Sequence, residues 1–245
     1  DVDAVTTGCG SVVVEQLENQ TCTVQTEEGD IVTKKLKSDT VDLRSLAGNI
    51  SCVKLLQGNI SIATGDHGTV TTDRLQGQEV SIQSHSGGVV VKDIYARTSC
   101  ITSESGNIHL GNLHGDVTVA GNNGDLNIGS LDGSLSASIQ KGNASVYLSK
   151  HKDVDISCQQ GDISIKVTPD VQTRLDLRAT QEIDLPMELQ SVFVPDLADG
   201  TRDGQINTKQ GLLNGDGSCT LTAKAERGSI TLGVQSWLDS LKLKK

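Results

Sequence analysis

Aromatic side chains are almost missing from this sequence. Of 245 residues, only Phe193, Tyr95, Tyr147 and Trp237 are aromatic in the Phe/Tyr/Trp sense. Aromatics normally supply the bulk of a globular core. Val, Ile and Leu must therefore fill this interior, which suits a core only a few side chains wide. Proline is nearly as scarce, with three in the chain. No run of 18 apolar residues occurs, so no segment reads as a membrane-spanning helix. Cations are outnumbered, 21 Lys and Arg against 31 Asp and Glu, for a net charge of −10. That balance excludes a general binder of nucleic acid or of anionic membranes, which needs clustered Lys and Arg. Its plain reading is solubility. The 26 glycines do not fall at every third residue, which excludes collagen.

Glycine is instead spaced by nine, at Gly106, Gly115, Gly124, Gly133 and Gly142. Each is followed by a small polar residue and an alternating triplet, as in Asn107-Ile108-His109-Leu110 and Asp116-Val117-Thr118-Val119. Apolar-polar-apolar is the period of a strand with one buried face. Glycine with Asn or Asp is turn chemistry, because these residues tolerate positive φ. From Cys22 two half-repeats alternate. One carries inward pairs such as Cys22/Val24, Val41/Leu43 and Ile60/Ile62. The other carries Ile31/Thr33, Ile50/Cys52 and Val70/Thr72. Two nines make one coil, and stacked coils build a solenoid. The expected fold is all-β, a single parallel β-solenoid with about 18–20 residues per coil, two principal strands per coil and capped ends. Leu46, Leu56, Leu75, Leu113 and Leu131 each precede a glycine by two and read as inward corner residues. The alternation breaks at Cys100-Ile101-Thr102.

The boundaries expected are a first coil or cap over 1–21, regular coils over 22–185, an irregular loop excursion over 186–217, and a last coil with a C-terminal cap over 218–245. The end, Ser236-Trp237-Leu238-Asp239-Ser240-Leu241, permits a short helix with Ser236 as N-cap. Trp237, Leu238 and Leu241 are the candidate site residues. Their apolar face either closes the last coil or anchors a partner, and the need to cover an open strand edge favours the cap.

Catalytic and metal chemistry finds little support. Calcium-binding nonapeptides need Gly-Gly-x-Gly-x-Asp in each repeat, whereas here one glycine is followed as often by Asn as by Asp. In the excursion Asp196, Asp199 and Asp203 lack the EF-hand spacing. The cysteines, Cys9, Cys22, Cys52, Cys100, Cys158 and Cys219, show no CxxC and no zinc spacing. Cys22, Cys52 and Cys100 occupy or adjoin inward columns, and scattered unpaired thiols point to a reducing compartment. His67, His85, His109, His114 and His151 are scattered and read as surface residues. The glycosylation-like strings at Asn49, Asn59 and Asn143 fall out of the repeat itself. Asp42 and Asp155 sit at outward positions several coils apart, too far to act on one bond. No catalytic, cofactor-binding or metal-binding residues are assigned, and no cofactor is expected.

The repeated Gly-Asp/Asn-apolar-x-apolar half-coil resembles the adhesin-type domain of unknown function, a bacterial β-solenoid. Gly8-Cys9-Gly10-Ser11-Val12-Val13, Gln235-Ser236-Trp237 and Ser240-Leu241-Lys242-Leu243 resemble the ends of the animal family with sequence similarity 185. The resemblance implies a β-solenoid without a catalytic motif and a mitochondrial location, with the cytosol as the alternative. The function expected is a non-enzymatic interaction or scaffold module for an unknown protein partner. The alternatives are a carbohydrate-binding or carbohydrate-cleaving β-helix, and a structural element that self-associates end to end.

Overall fold

The computed structural model describes residues 1–196, 206–215 and 217–236. The chain divides into two compact units, Asp1–Gly124 and Asp125–Lys245. Both are parallel β-solenoids.

The first unit holds β1 (Val2–Thr6), β2 (Val12–Thr26), β3 (Ile31–Ser45), β4 (Ile50–Thr64), β5 (Val70–Ser84), β6 (Val89–Ser105) and β7 (Ile108–Asn123). Each strand pairs in parallel with the next. Equivalent residues are 18 to 20 apart, within the expected coil length. One coil is one long strand bent twice. In β3 the buried residues fall in three runs, Ile31/Thr33, Leu36/Ser38 and Val41/Leu43/Ser45. Between runs two successive residues, Lys34-Lys35 and Asp39-Thr40, face solvent. Two outward residues in a row break the period of two and turn the chain. The two expected inward pairs are thus the ends of each coil, and a middle run joins them.

The middle run is where the corner leucines belong. Leu56 and Leu75 are fully buried there, and Leu113 nearly so. Leu46 is the exception. It is 67% exposed, because it lies in the turn after β3 instead of in a middle run. The expected break at Cys100 is also absent. Ser99 and Ile101 pair with Val80 and Ile82 and keep the inward register, while Cys100 faces out.

The nine-residue glycine period combines two different columns. One lies in the turns, where a Cβ on Gly87 would meet the Gly68 oxygen at 1.9 Å and one on Gly106 the Gly87 oxygen at 2.6 Å. The other lies at the second bend, where a Cβ on Gly77 would lie 1.9 Å from the Gly58 oxygen. At both places successive coils approach closer than any side chain allows. Side chains then fasten the turns. The Asn49 N–H donates to Asp30 Oδ1 at 2.7 Å, and the Thr69 N–H to Asn49 Oδ1 at 3.0 Å. Each Asx carboxyl or amide oxygen thereby satisfies a main-chain donor of the next coil. Inward hydroxyls close the same turns from within. Thr26 donates to the Gly29 carbonyl at 2.7 Å, Thr64 to Gly68 at 3.0 Å and Ser84 to Gly87 at 2.7 Å.

The second unit begins the same way, with β8 (Leu126–Lys141) and β9 (Ala144–Gln160) in parallel register. Then follow β10 (Ile163–Val167), β11 (Thr173–Ala179), β12 (Ile183–Asp184), the single-turn α1 (Met187–Gln190), β13 (Phe193–Pro195), β14 (Asn207–Leu213), β15 (Thr220–Ala225) and β16 (Ile230–Val234). Chain order and spatial order part here. β15 lies between β9 and β11, and β16 lies between β10 and β12. The last described strands are therefore inserted beneath strands that precede them in sequence. Gly228 and Ser229 continue the turn columns, since the Ser229 N–H donates to Asp162 Oδ1 at 2.8 Å across 67 residues. The stretch 186–217 is not wholly irregular. β14 pairs antiparallel with β11, and β13 antiparallel with β14. Trp237, Leu238 and Leu241 lie outside the described residues, as do Asp199 and Asp203.

Candidate functional site

Inward positions are occupied by packing, so recognition falls to the outward columns. In the first unit, the outward column of the third run reads Thr23, Asp42, Ser61, Ser81, Cys100 and Thr118, one residue per strand in register. With Thr40, Asn59, Glu79, Thr98 and Asp116 at the adjoining bend, its β3–β7 members line an open groove of about 520 Å³. The side chains are short and stand on a hydrogen-bonded sheet, which fixes their spacing. Asp42 is held by Arg44 at 2.9 Å. This face can accept and donate hydrogen bonds along its length.

A second trough follows the bend glycines. Its floor is Gly58 and Gly77, and its walls are Gln57 and Gln76 on one side and Asn59 and Gln78 on the other. Ser38 and Asp39 stand at one end and Tyr95 at the other, around a volume of about 510 Å³. The ladder is interrupted beside it, between Lys37 and Thr40 and between Gln57 and Ile60. Tyr95 is clamped. His114, one coil on, stacks on its ring at 4.6 Å and 12°, and the Arg74 guanidinium, one coil back, lies 5.6 Å from the ring centre. The two neighbours belong to strands on opposite sides of β6, so both ring faces are covered and the ring edge remains exposed.

In the second unit a groove of about 520 Å³ is lined by Ser149, Lys150, His151, Thr168, Asp170, Val171 and Gln172. His151 stands in register with Gly133, in the small-residue column of the bend. It fits because only the loop 168–172 passes between β10 and β11. Its Nε2 lies 3.0 Å from Thr173 Oγ1, and that hydroxyl reaches the Cys219 carbonyl at 3.2 Å. Burial holds the His151 imidazole below its usual pKa, against a smaller opposing pull from Asp153. This histidine ties β9 to β11 and to the entry of β15, and its environment is that of a packing residue. Nearby, the Tyr147 hydroxyl is buried without a partner, and burial, then Asp170, raises its pKa.

The other histidines are dispersed. His109 faces out from β7, His67 occupies a turn at φ 64°, and His85 lies 2.8 Å from Glu104 and 3.5 Å from Asp66. Among the described residues no group of three His, Cys, Asp or Glu is placed to hold a metal ion. All six thiols are free. Cys9 and Cys100 are exposed, while Cys22, Cys52 and Cys158 are buried. Burial pushes the Cys52 pKa up to about 11.

The amide trough escaped the nine-residue reading, yet the sequence carries a signal for it. Gln57-Gly58-Asn59 and Gln76-Gly77-Gln78 repeat an amide-glycine-amide motif one coil apart. No solved structure matches the chain. A profile of the Toastrack DUF4097 family, a repeat domain of unknown function, matches residues 48–193, more than half of the sequence. With its parallel coils and glycine columns, this all-β chain belongs to the Toastrack DUF4097 family.

Proposed function

We propose that this chain is a non-enzymatic interaction module that presents the third-run groove of its first unit to a protein partner. The observation that carries this reading is the groove itself, about 520 Å³ in volume, spread over β3 to β7 on a rigid sheet, where polar side chains such as Asp42, Ser61, Ser81 and Thr118 stand beside exposed apolar area. Preorganised side chains lose little freedom on binding, which favours recognition. We infer a mitochondrial compartment, with the cytosol as alternative; six free thiols, which suit a reducing compartment, support this reading. End-to-end self-association is the competing structural reading.

Proximity labelling with the full-length chain in its own cell tests the proposal. Ser81 is central in the groove. A Ser81→Arg variant that folds normally should lose a defined subset of labelled neighbours. An unchanged set would remove this groove from consideration, and labelling of copies of the chain alone would favour self-association.

A further inference from the structure

We propose that the trough over Gly58 and Gly77 is a binding site for a neutral, linear oligosaccharide. The walls supply the chemistry. Gln57, Asn59, Gln76 and Gln78 each bear a primary amide with two donors and an acceptor, and none of the four is engaged with another side chain. Sugar hydroxyls both donate and accept, so an amide is their natural counterpart. The glycine floor brings a ligand against main chain, and interruption of the ladder at residues 38–39 and 58–59 leaves backbone groups there outside the regular pairing.

The geometry favours a chain of repeating units. Wall amides recur once per strand, about 4.8 Å apart, close to the advance of one pyranose along an extended glycan. Tyr95 closes one end with its ring fixed between Arg74 and His114, so its hydroxyl is presented without freezing a rotamer. The four wall residues carry no charge, which disfavours anionic ligands, and Asp39 at the far end adds an acceptor. A peptide fits less well. The trough crosses the strands, so no sheet edge is offered for strand addition, and no apolar pocket lines it.

The trough adjoins the proposed partner groove at the bend and shares Asn59 with it. Gln57, Gln76 and Gln78 line the trough alone and Ser81 the groove alone, so the two tests fail separately. Titration of the full chain with maltotetraose, cellotetraose and laminaritetraose, followed by calorimetry and by amide resonances, provides the test. At least one sugar should bind with Kd of about 1 mM or tighter and shift resonances of residues 57–59 and 76–78. The double variant Gln57→Leu/Gln76→Leu should weaken that binding about tenfold or more, as expected for two lost hydrogen-bonding groups. Gln78→Arg provides a second variant should the first fail to fold, and Ser81→Arg should leave sugar binding unchanged. Absence of binding by all three sugars at about 10 mM, or binding that both trough variants leave intact, overturns the proposal.

Discussion

A methyl group at Gly161 would lie 2.1 Å from the Gly142 carbonyl oxygen, and the residue holds φ at +141°. Both the space and the backbone angle exclude a side chain. Gly161→Ala should lower stability by roughly 2–4 kcal/mol, read as a fall in the urea midpoint. Gly8, with φ +69° and open space around its Cβ position, should tolerate Ala better. His151 sets a pH dependence. Its folded pKa lies below the unfolded value of about 6.5, so the folded state favours the neutral ring. The stabilisation is complete above the unfolded pKa and is lost as pH falls through the folded value. Melting temperature should drop on acidification below about pH 6.5, and His151→Gln should flatten that slope. Alkylation without reductant should modify exposed Cys100 rapidly, and Cys9 more slowly because its thiol donates to Glu28 and that carboxylate raises its pKa. Cys22, Cys52 and Cys158 should react only after denaturation, since burial suppresses both access and thiolate formation. Fast labelling of Cys52 in the native protein would contradict its burial.

At the scale of elements, β15 and β16 act as a keystone. They occupy the slots between β9 and β11 and between β10 and β12, so the second unit cannot complete its ladder until residues near Val234 are in place. Leu221, Ala223, Ala225, Ile230 and Leu232 are all buried there. A charge at Ala223, whose neighbours in register are Ile156 and Leu177, would have no partner in an apolar environment. Ala223→Asp should therefore remove hydrogen-exchange protection from β11 and β12 as well as from β15 and β16. It should leave β2 to β6 protected. Loss confined to β15 would show that the neighbouring strands hold without it.

For the whole molecule, the relevant quantity is the charge of −10. Like charge opposes association at low ionic strength and is screened by salt within about 8 Å at physiological strength. Sedimentation over a concentration series should show a monomer in low salt. A concentration-dependent assembly under those conditions would favour the end-to-end reading over a module that meets a different protein.

Much of the architecture was legible because it is periodic. The alternation at Ile31/Thr33 and Val41/Leu43 specifies buried faces by chemistry alone, and the Gly-Asx corners mark turns through their backbone preferences. The same periodicity misplaced Leu46, since a leucine two residues before a glycine looks alike in a bend and in a turn. It also saw a break at Cys100, where Ser99 fills an inward place that apolar residues hold in neighbouring coils. In the sequence the groove of the first unit is legible only as scattered outward Ser and Thr, and the trough only as the Gln-Gly repeat at Gln57-Gly58 and Gln76-Gly77. Taken alone, the sequence determined the coil, its length and its inward columns, because those depend on contacts between residues one repeat apart. Tertiary structure alone decided that β15 and β16 slip between earlier strands, and that Tyr95 is clamped by residues from the coils on either side. Such choices depend on which strand edge remains open when a distant segment arrives, and a local pattern carries no record of that.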